Sequence, residues 1–87
     1  MELGADLTGY QIGELQHSFG LDYSNKPYRN YYYCSENNAE WDDMYKKGYA
    51  IKKVNSDYEI VYYGTLKGLR TVFRKNITRK YFESIEV

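Results

Sequence analysis

Chemistry in this chain has to come from a short inventory. His17 is the only histidine and is followed by Ser18, Cys34 is the only cysteine, and Glu40, Asp42 and Asp43 bring three carboxylates close together. A serine nucleophile needs a base within hydrogen-bond reach, but consecutive helical residues point about 100° apart, so His17 reads as a structural histidine. Cys34 stands among tyrosines, without an adjacent His or a helix N-terminus to lower its pKa, the setting of a packed and inert thiol. The three carboxylates lack the spacing and glycine of a calcium loop and fit the first turn of a helix, where the dipole favours acids. A lone Cys and a lone His exclude an internal disulfide and a zinc-type ligand set, and Gly64 with Gly68 form no phosphate-binding pattern. The expectation is a non-enzymatic protein with no catalytic residue, no metal and no cofactor.

Two other groups suit binding. Lys67, Arg70, Arg74, Lys75, Arg79 and Lys80 place six cations in residues 66–80 with no acid among them. At helical spacing Lys67, Arg70 and Arg74 would share a solvent face that tracks phosphates, with Tyr62 and Tyr63 near enough to stack on bases. The bland alternative is a solvated helix face partly neutralised by acids elsewhere. Tyr28, Arg29, Tyr31, Tyr32 and Tyr33 concentrate the residue types richest in protein-interface hot spots, in a stretch too irregular for every ring to face a core. The bland alternative there is a tyrosine-rich core.

Composition bounds the elements that can position these groups. A chain of 87 residues buries only roughly 60–65% of its unfolded surface, so one small domain over residues 1–87 is expected. Lys and Arg balance Asp and Glu at twelve each, yet residues 1–45 hold eight acids and two bases (net −6), and residues 46–87 hold ten bases and four acids (net +6). Such halves either sit against each other or present two electrically different faces. Leu, Ile, Val and Phe total only 18 residues while Tyr alone supplies 12, so tyrosine is expected to provide much of the buried area. No apolar run is long enough to span a membrane and Met1-Glu2-Leu3-Gly4-Ala5-Asp6 is not patterned as a signal peptide, which points to a reducing, cytoplasmic setting.

The local signals predict an α+β domain. Thr8 and Gln11 form a capping-box pair, Leu7 and Ile12 a hydrophobic staple, and Ile12, Leu15 and Phe19 an apolar face before Gly20, giving a helix over 9–19. A short strand fits 30–34. Asn37 with Glu40 resembles an N-cap pair for a second helix over 38–47, with Trp41, Met44 and Tyr45 on one face. Residues 49–54 and 58–63 read as a hairpin around a three-residue loop, Asn55-Ser56-Asp57, with Gly64 breaking the second strand. Thr65 caps a third helix with Leu66, Leu69, Val72 and Phe73 inward and a stop near Asn76. The tail from Ile77 to Val87 fits a helix after Thr78 or a strand around Lys80. Helix, helix, hairpin and helix together outline a winged-helix-like domain, although the first two helices lie too far apart for a tight helix-turn-helix.

Two segments carry a family likeness. Gly20-Leu21-Asp22 with Pro27-Tyr28-Arg29-Asn30-Tyr31 resembles the GLD…PYRN stretch of small accessory proteins of tailed phages and prophages, and Trp41 with Lys47-Gly48 resembles their W…KG stretch. The likeness spans about residues 12–74, with Gly64 inserted before the last element. It implies a phage accessory protein in the host cytoplasm, either a binder of host or defence machinery or a small DNA-binding regulator. Together with the tyrosine cluster it leads to an expected inhibitor of a host or defence protein, including a nuclease such as a CRISPR effector; the alternative is a nucleic-acid binder using the basic third helix. Homo-oligomers through the oppositely charged halves are compatible with either, and no membrane partner is expected.

Overall fold

Thr8 and Asn38 start the two helices that place Leu15, Trp41 and Met44 in the core. The structure, a computed structural model, describes residues 3–85. Its elements in order are α1 (Gly9–Ser18), β1 (Tyr32–Cys34), α2 (Ala39–Lys46), β2 (Ala50–Ser56), β3 (Glu59–Gly64), α3 (Leu66–Val72) and α4 (Arg79–Glu83). This is a small α+β domain around one antiparallel sheet of order β1-β3-β2. Residues 1, 2, 86 and 87, which include the ends of the opening segment and of the tail, lie outside the described residues.

The Thr8 capping box forms in both directions, and Gln11 does more than cap. Its buried side chain sends Nε2 to Asp43 Oδ2 at 2.9 Å and to the Glu40 carbonyl at 3.2 Å, tying α1 to α2. The inward face of α1 is consequently Gln11, Leu15 and Ser18, continued by Phe19, with Ile12 only half-buried. The chain turns at Gly20, whose φ of +79° suits glycine and whose missing side chain leaves room for the Tyr28 ring. In α2 the cap is Asn38, not Asn37: Asn38 Oδ1 accepts from the Glu40 and Trp41 amides, while Asn37 accepts from Lys52. Trp41 and Met44 are buried, but Tyr45 points outward, 49% exposed.

The hairpin is tighter than expected. β2 runs on to Ser56, the turn is Asp57-Tyr58, and Asn55 is an extra residue where the register shifts between Val54 and Ser56. Such a bulge keeps alternation in step with a two-residue turn. Gly64 ends β3 rather than breaking it, and a Cβ there would enter the Phe19 ring, so only glycine fits. α3 stops at Val72, four residues before Asn76, and the tail takes its helical option, capped by Thr78.

The inner sheet face meets α1 and α2. Trp41 lies between two tyrosines there, its ring 5.1 Å from Tyr32 and 5.6 Å from Tyr62, both stacked. The Tyr62 hydroxyl donates to Asp42 Oδ1 at 2.7 Å and accepts from the Asn38 amide at 3.2 Å, and Lys52 closes the same carboxylate at 3.0 Å. Tyrosine is less of a core residue than its abundance suggests: seven of the twelve are exposed, and only Tyr49 and Tyr62 are fully buried.

These networks set a pH window. Asp42 is pushed up by its partial burial, but hydrogen bonds from Tyr62 and Lys52 outweigh that and hold it below the ordinary 3.8. Lys47 and Gln11 lower Asp43, and the Tyr49 hydroxyl lowers Asp6. The stability these carboxylates carry is complete above the unfolded value and is lost as pH falls through the lowered folded values. Burial raises the Tyr62 hydroxyl and pushes Tyr32 up to about 12, so their contribution is complete below the ordinary 10 and is lost as pH rises from 10 towards 12. Urea midpoints are expected to be flat from roughly pH 5 to 9 and to fall on both sides. A midpoint that fell only on the alkaline side would remove the carboxylates from this account.

Candidate binding surface

Strand alternation divides the sheet. Tyr32, Ile60, Tyr62 and Ala50 face α1 and α2, so Tyr33, Val61, Tyr63, Ile51 and Lys53 face the other way. Register sets Tyr33, Val61 and Lys53 in one row across β1, β3 and β2. Tyr31 joins this face just ahead of β1, its ring 5.2 Å from that of Tyr33. Val61 is 1% exposed, whereas Tyr33 is 63% and Ile51 52% exposed, an apolar floor with large side chains left open above it.

Two residues hold the tyrosine end of this face in place. Asn30, 5% exposed, donates from Nδ2 to the Gly64 carbonyl at 2.9 Å and accepts from the Gly64 amide at 2.7 Å, so its side chain continues the ladder one step past Tyr32. Arg29 sends Nη2 to the His17 carbonyl at 2.9 Å, at the C-terminal end of α1 where a cation is favoured. Its guanidinium then lies 5.5 Å from the Tyr28 ring and 5.7 Å from the Tyr31 ring. Arg29 thus orients its neighbours more than it projects. Asn30→Ala would leave both Gly64 backbone groups buried and unpaired and is expected to cost about 2–4 kcal/mol in urea unfolding; a loss of only a few tenths would mean that the ladder closes without the side chain.

Beside this face the chain forms an open cavity of about 440 Å³, bounded by Ile51, Lys53 and Tyr63 of the sheet, by Asn30 and Gly64, and by Phe82, Glu83 and Ile85 of the C-terminal segment. No sequence signal singled out this groove. The alternation that sends Tyr62 inward also sends Ile51 and Tyr63 outward, and the spacing of Phe82 and Ile85 suits one helical face; those two patterns together point to it.

Of the expected protein-contact residues, Tyr31 and Tyr33 stand together on the outward face with the Arg29 guanidinium beside Tyr31, while the Tyr28 ring packs against Gly20. Tyr32 does not join them, because β1 turns it inward onto Trp41. The basic group is not a single stripe. Helix α3 is two turns long, so Arg74 and Lys75 fall beyond it, and Arg70 Nε turns back to the Ile77 carbonyl at 2.9 Å. Lys67 donates to the Lys47 carbonyl at 3.0 Å and sits 4.3 Å from the Tyr49 ring centre, while Arg74 lies over Phe73. Among the described residues none of the six cations joins an ion pair; carboxylate–lysine pairing is confined to Asp43–Lys47 and Asp42–Lys52. The halves are therefore linked by ion pairs at mid-chain rather than through residues 67–80.

The catalytic candidates are not brought together. His17 Nδ1 meets Asp22 Oδ2 at 2.7 Å, whereas the Ser18 hydroxyl donates to the Leu15 carbonyl inside α1. Burial, with Glu14 and Asp42 adding to it, pushes the Cys34 thiol up, away from a reactive thiolate. Among the described residues no group of three or more His, Cys, Asp or Glu is placed to hold a metal ion, and no helix is long and apolar enough to cross a membrane. The chain matches no family model, no curated protein and no solved structure.

Proposed function

We propose that this chain is a non-enzymatic phage accessory protein that binds a host or defence protein in the host cytoplasm and inhibits or redirects it, a nuclease such as a CRISPR effector being one target of that kind. The observation that carries the proposal is the outward sheet face: Tyr31 and Tyr33 stand paired on a backbone fixed by Asn30 and Arg29, over a buried floor. Rigid aromatic side chains lose little entropy on binding and give large contact area, the profile of interface hot spots. The phage-like GLD…PYRN stretch runs directly into this surface and supplies its Tyr31 and the Arg29 beside it.

A second reading, a winged-helix-like nucleic-acid binder, is favoured by one observation, the absence of ion pairs at Lys67, Arg70, Arg74, Lys75, Arg79 and Lys80 among the described residues. Its hairpin would act as the wing. Against it stand a sequence pI of about 6.6 and the engagement of Lys67 and Arg70 by backbone carbonyls. One experiment separates the two. Immobilised chain is expected to retain a host protein that Tyr31→Ala with Tyr33→Ala releases, and to shift no DNA or RNA at low salt. A strongly salt-dependent shift abolished by Lys75→Glu, Arg79→Glu and Lys80→Glu would establish the second reading.

A further inference from the structure

We propose that the groove between the outward sheet face and α4 receives the side chains of an extended segment of the partner protein, acidic and apolar groups alternating along the one face it turns to the groove; this inference rests on the protein-binding function proposed above. The groove is longer than one cavity. A second, of about 360 Å³, shares Ile51, Gly64 and Phe82 with the first and runs on to Lys67 and Arg79. Ile51 and Phe82 thus lie along a continuous apolar trough, with Lys53 at one end and Lys67 and Arg79 at the other.

Charge selects the occupant. Among the described residues lining the trough, three cations face one carboxylate, Glu83. Lys53 and Arg79 make no side-chain hydrogen bond or ion pair among the described residues, so their charge is uncompensated. The Lys67 ammonium is held in place over Tyr49 by the Lys47 carbonyl and keeps other N–H groups to donate. A segment with carboxylates at those ends and apolar groups between them complements the trough; a phosphate backbone would leave the apolar floor uncovered.

The sheet selects the conformation. β2 is an edge strand, with β3 on one side and no strand on the other among the described residues. A strand added to such an edge directs every second side chain to one face, here the face of Ile51 and Lys53, while its other side chains point away. Acidic and apolar side chains on the inward-facing positions would therefore reach the trough, and main-chain hydrogen bonds would hold the register.

The test is a titration of the full-length ¹⁵N-labelled chain with two short synthetic peptides, one alternating Glu and Phe on its inward-facing positions and one with Lys in place of each Glu. The Glu peptide is expected to move amides of residues 50–53, 63–67 and 79–85, and the Lys peptide to move none. Lys53→Glu with Arg79→Glu, both at exposed positions that spare the fold, is expected to weaken the Glu peptide at least about tenfold. Tyr33→Ala should leave its affinity unchanged while releasing the partner. Equal binding of both peptides, no binding of either, shifts confined to α1 and α2, displacement of the Glu peptide by oligothymidylate, or self-association of the free chain through these residues would each overturn the inference. Partner capture that still depended on Tyr33 would then leave the protein-binding function standing without this groove.

Discussion

Trp41→Ala is expected to cost about 3–5 kcal/mol, enough to unfold much of the population of a domain this small at ordinary temperature. Trp41 is fully buried and forms the middle of a stack that joins β1 through Tyr32, α2 through its own backbone and β3 through Tyr62. Truncation would open a cavity between three elements that cannot all move inward, since Tyr62 is tied to Asp42 and the Asn38 amide. Trp41→Phe should cost less, about 1–2 kcal/mol, because it keeps most of the ring contact and removes a buried indole N–H that has no hydrogen-bond partner among the described residues. Urea unfolding followed by far-ultraviolet circular dichroism measures both. An alanine variant with an unchanged midpoint would mean that the stack is not the centre of the core.

Tyr33→Ala and Tyr31→Ala are expected to lower partner affinity by about 2 kcal/mol each, roughly thirtyfold, and the pair by a hundredfold or more, with the urea midpoint nearly unchanged. Exposure alone does not produce this effect. Tyr58 at the hairpin turn and Tyr23 after α1 are 82% and 80% exposed, more than Tyr33, yet Tyr23 lies in a loop and Tyr58 at the tip. Alanine at either is expected to leave affinity within about a factor of two, as for contacts outside a hot-spot cluster. Tyr32→Ala should do the reverse of Tyr33→Ala and lower stability, because its ring is part of the Trp41 stack. Loss of affinity from Tyr58→Ala but not Tyr33→Ala would move the surface to the hairpin tip.

What the chain reveals of this arrangement before folding depends on how local each signal is. The caps at Thr8, Thr65 and Thr78 are set by residues a few positions apart; Thr8 and Thr65 appear as read, and at Thr78 the helix forms where the sequence fitted a helix or a strand. Asn37 and Asn38 both offer a capping oxygen; Asn38 takes the cap, and Asn37 instead accepts from Lys52, fifteen residues away. The fate of Tyr31-Tyr32-Tyr33 is a matter of strand parity, and parity is fixed only when β1 takes its register on β3, some thirty residues later. The −6 and +6 halves are visible in the sequence, and the ion pairs that join them among the described residues are close in sequence, Lys47 with Asp43 and Lys52 with Asp42. The groove is hidden because Ile51, Tyr63, Phe82 and Ile85 meet only after the hairpin and α4 have packed.

The most direct measurement of the central claim, that the outward sheet face is the binding surface, is hydrogen–deuterium exchange of the chain alone and with its captured partner. Protection is predicted at residues 30–33, 51–53 and 61–64, with α1 and the exposed side of α2 exchanging as in the free chain. Protection confined to residues 67–80, with the sheet unchanged, would contradict the account and place recognition on the basic segment.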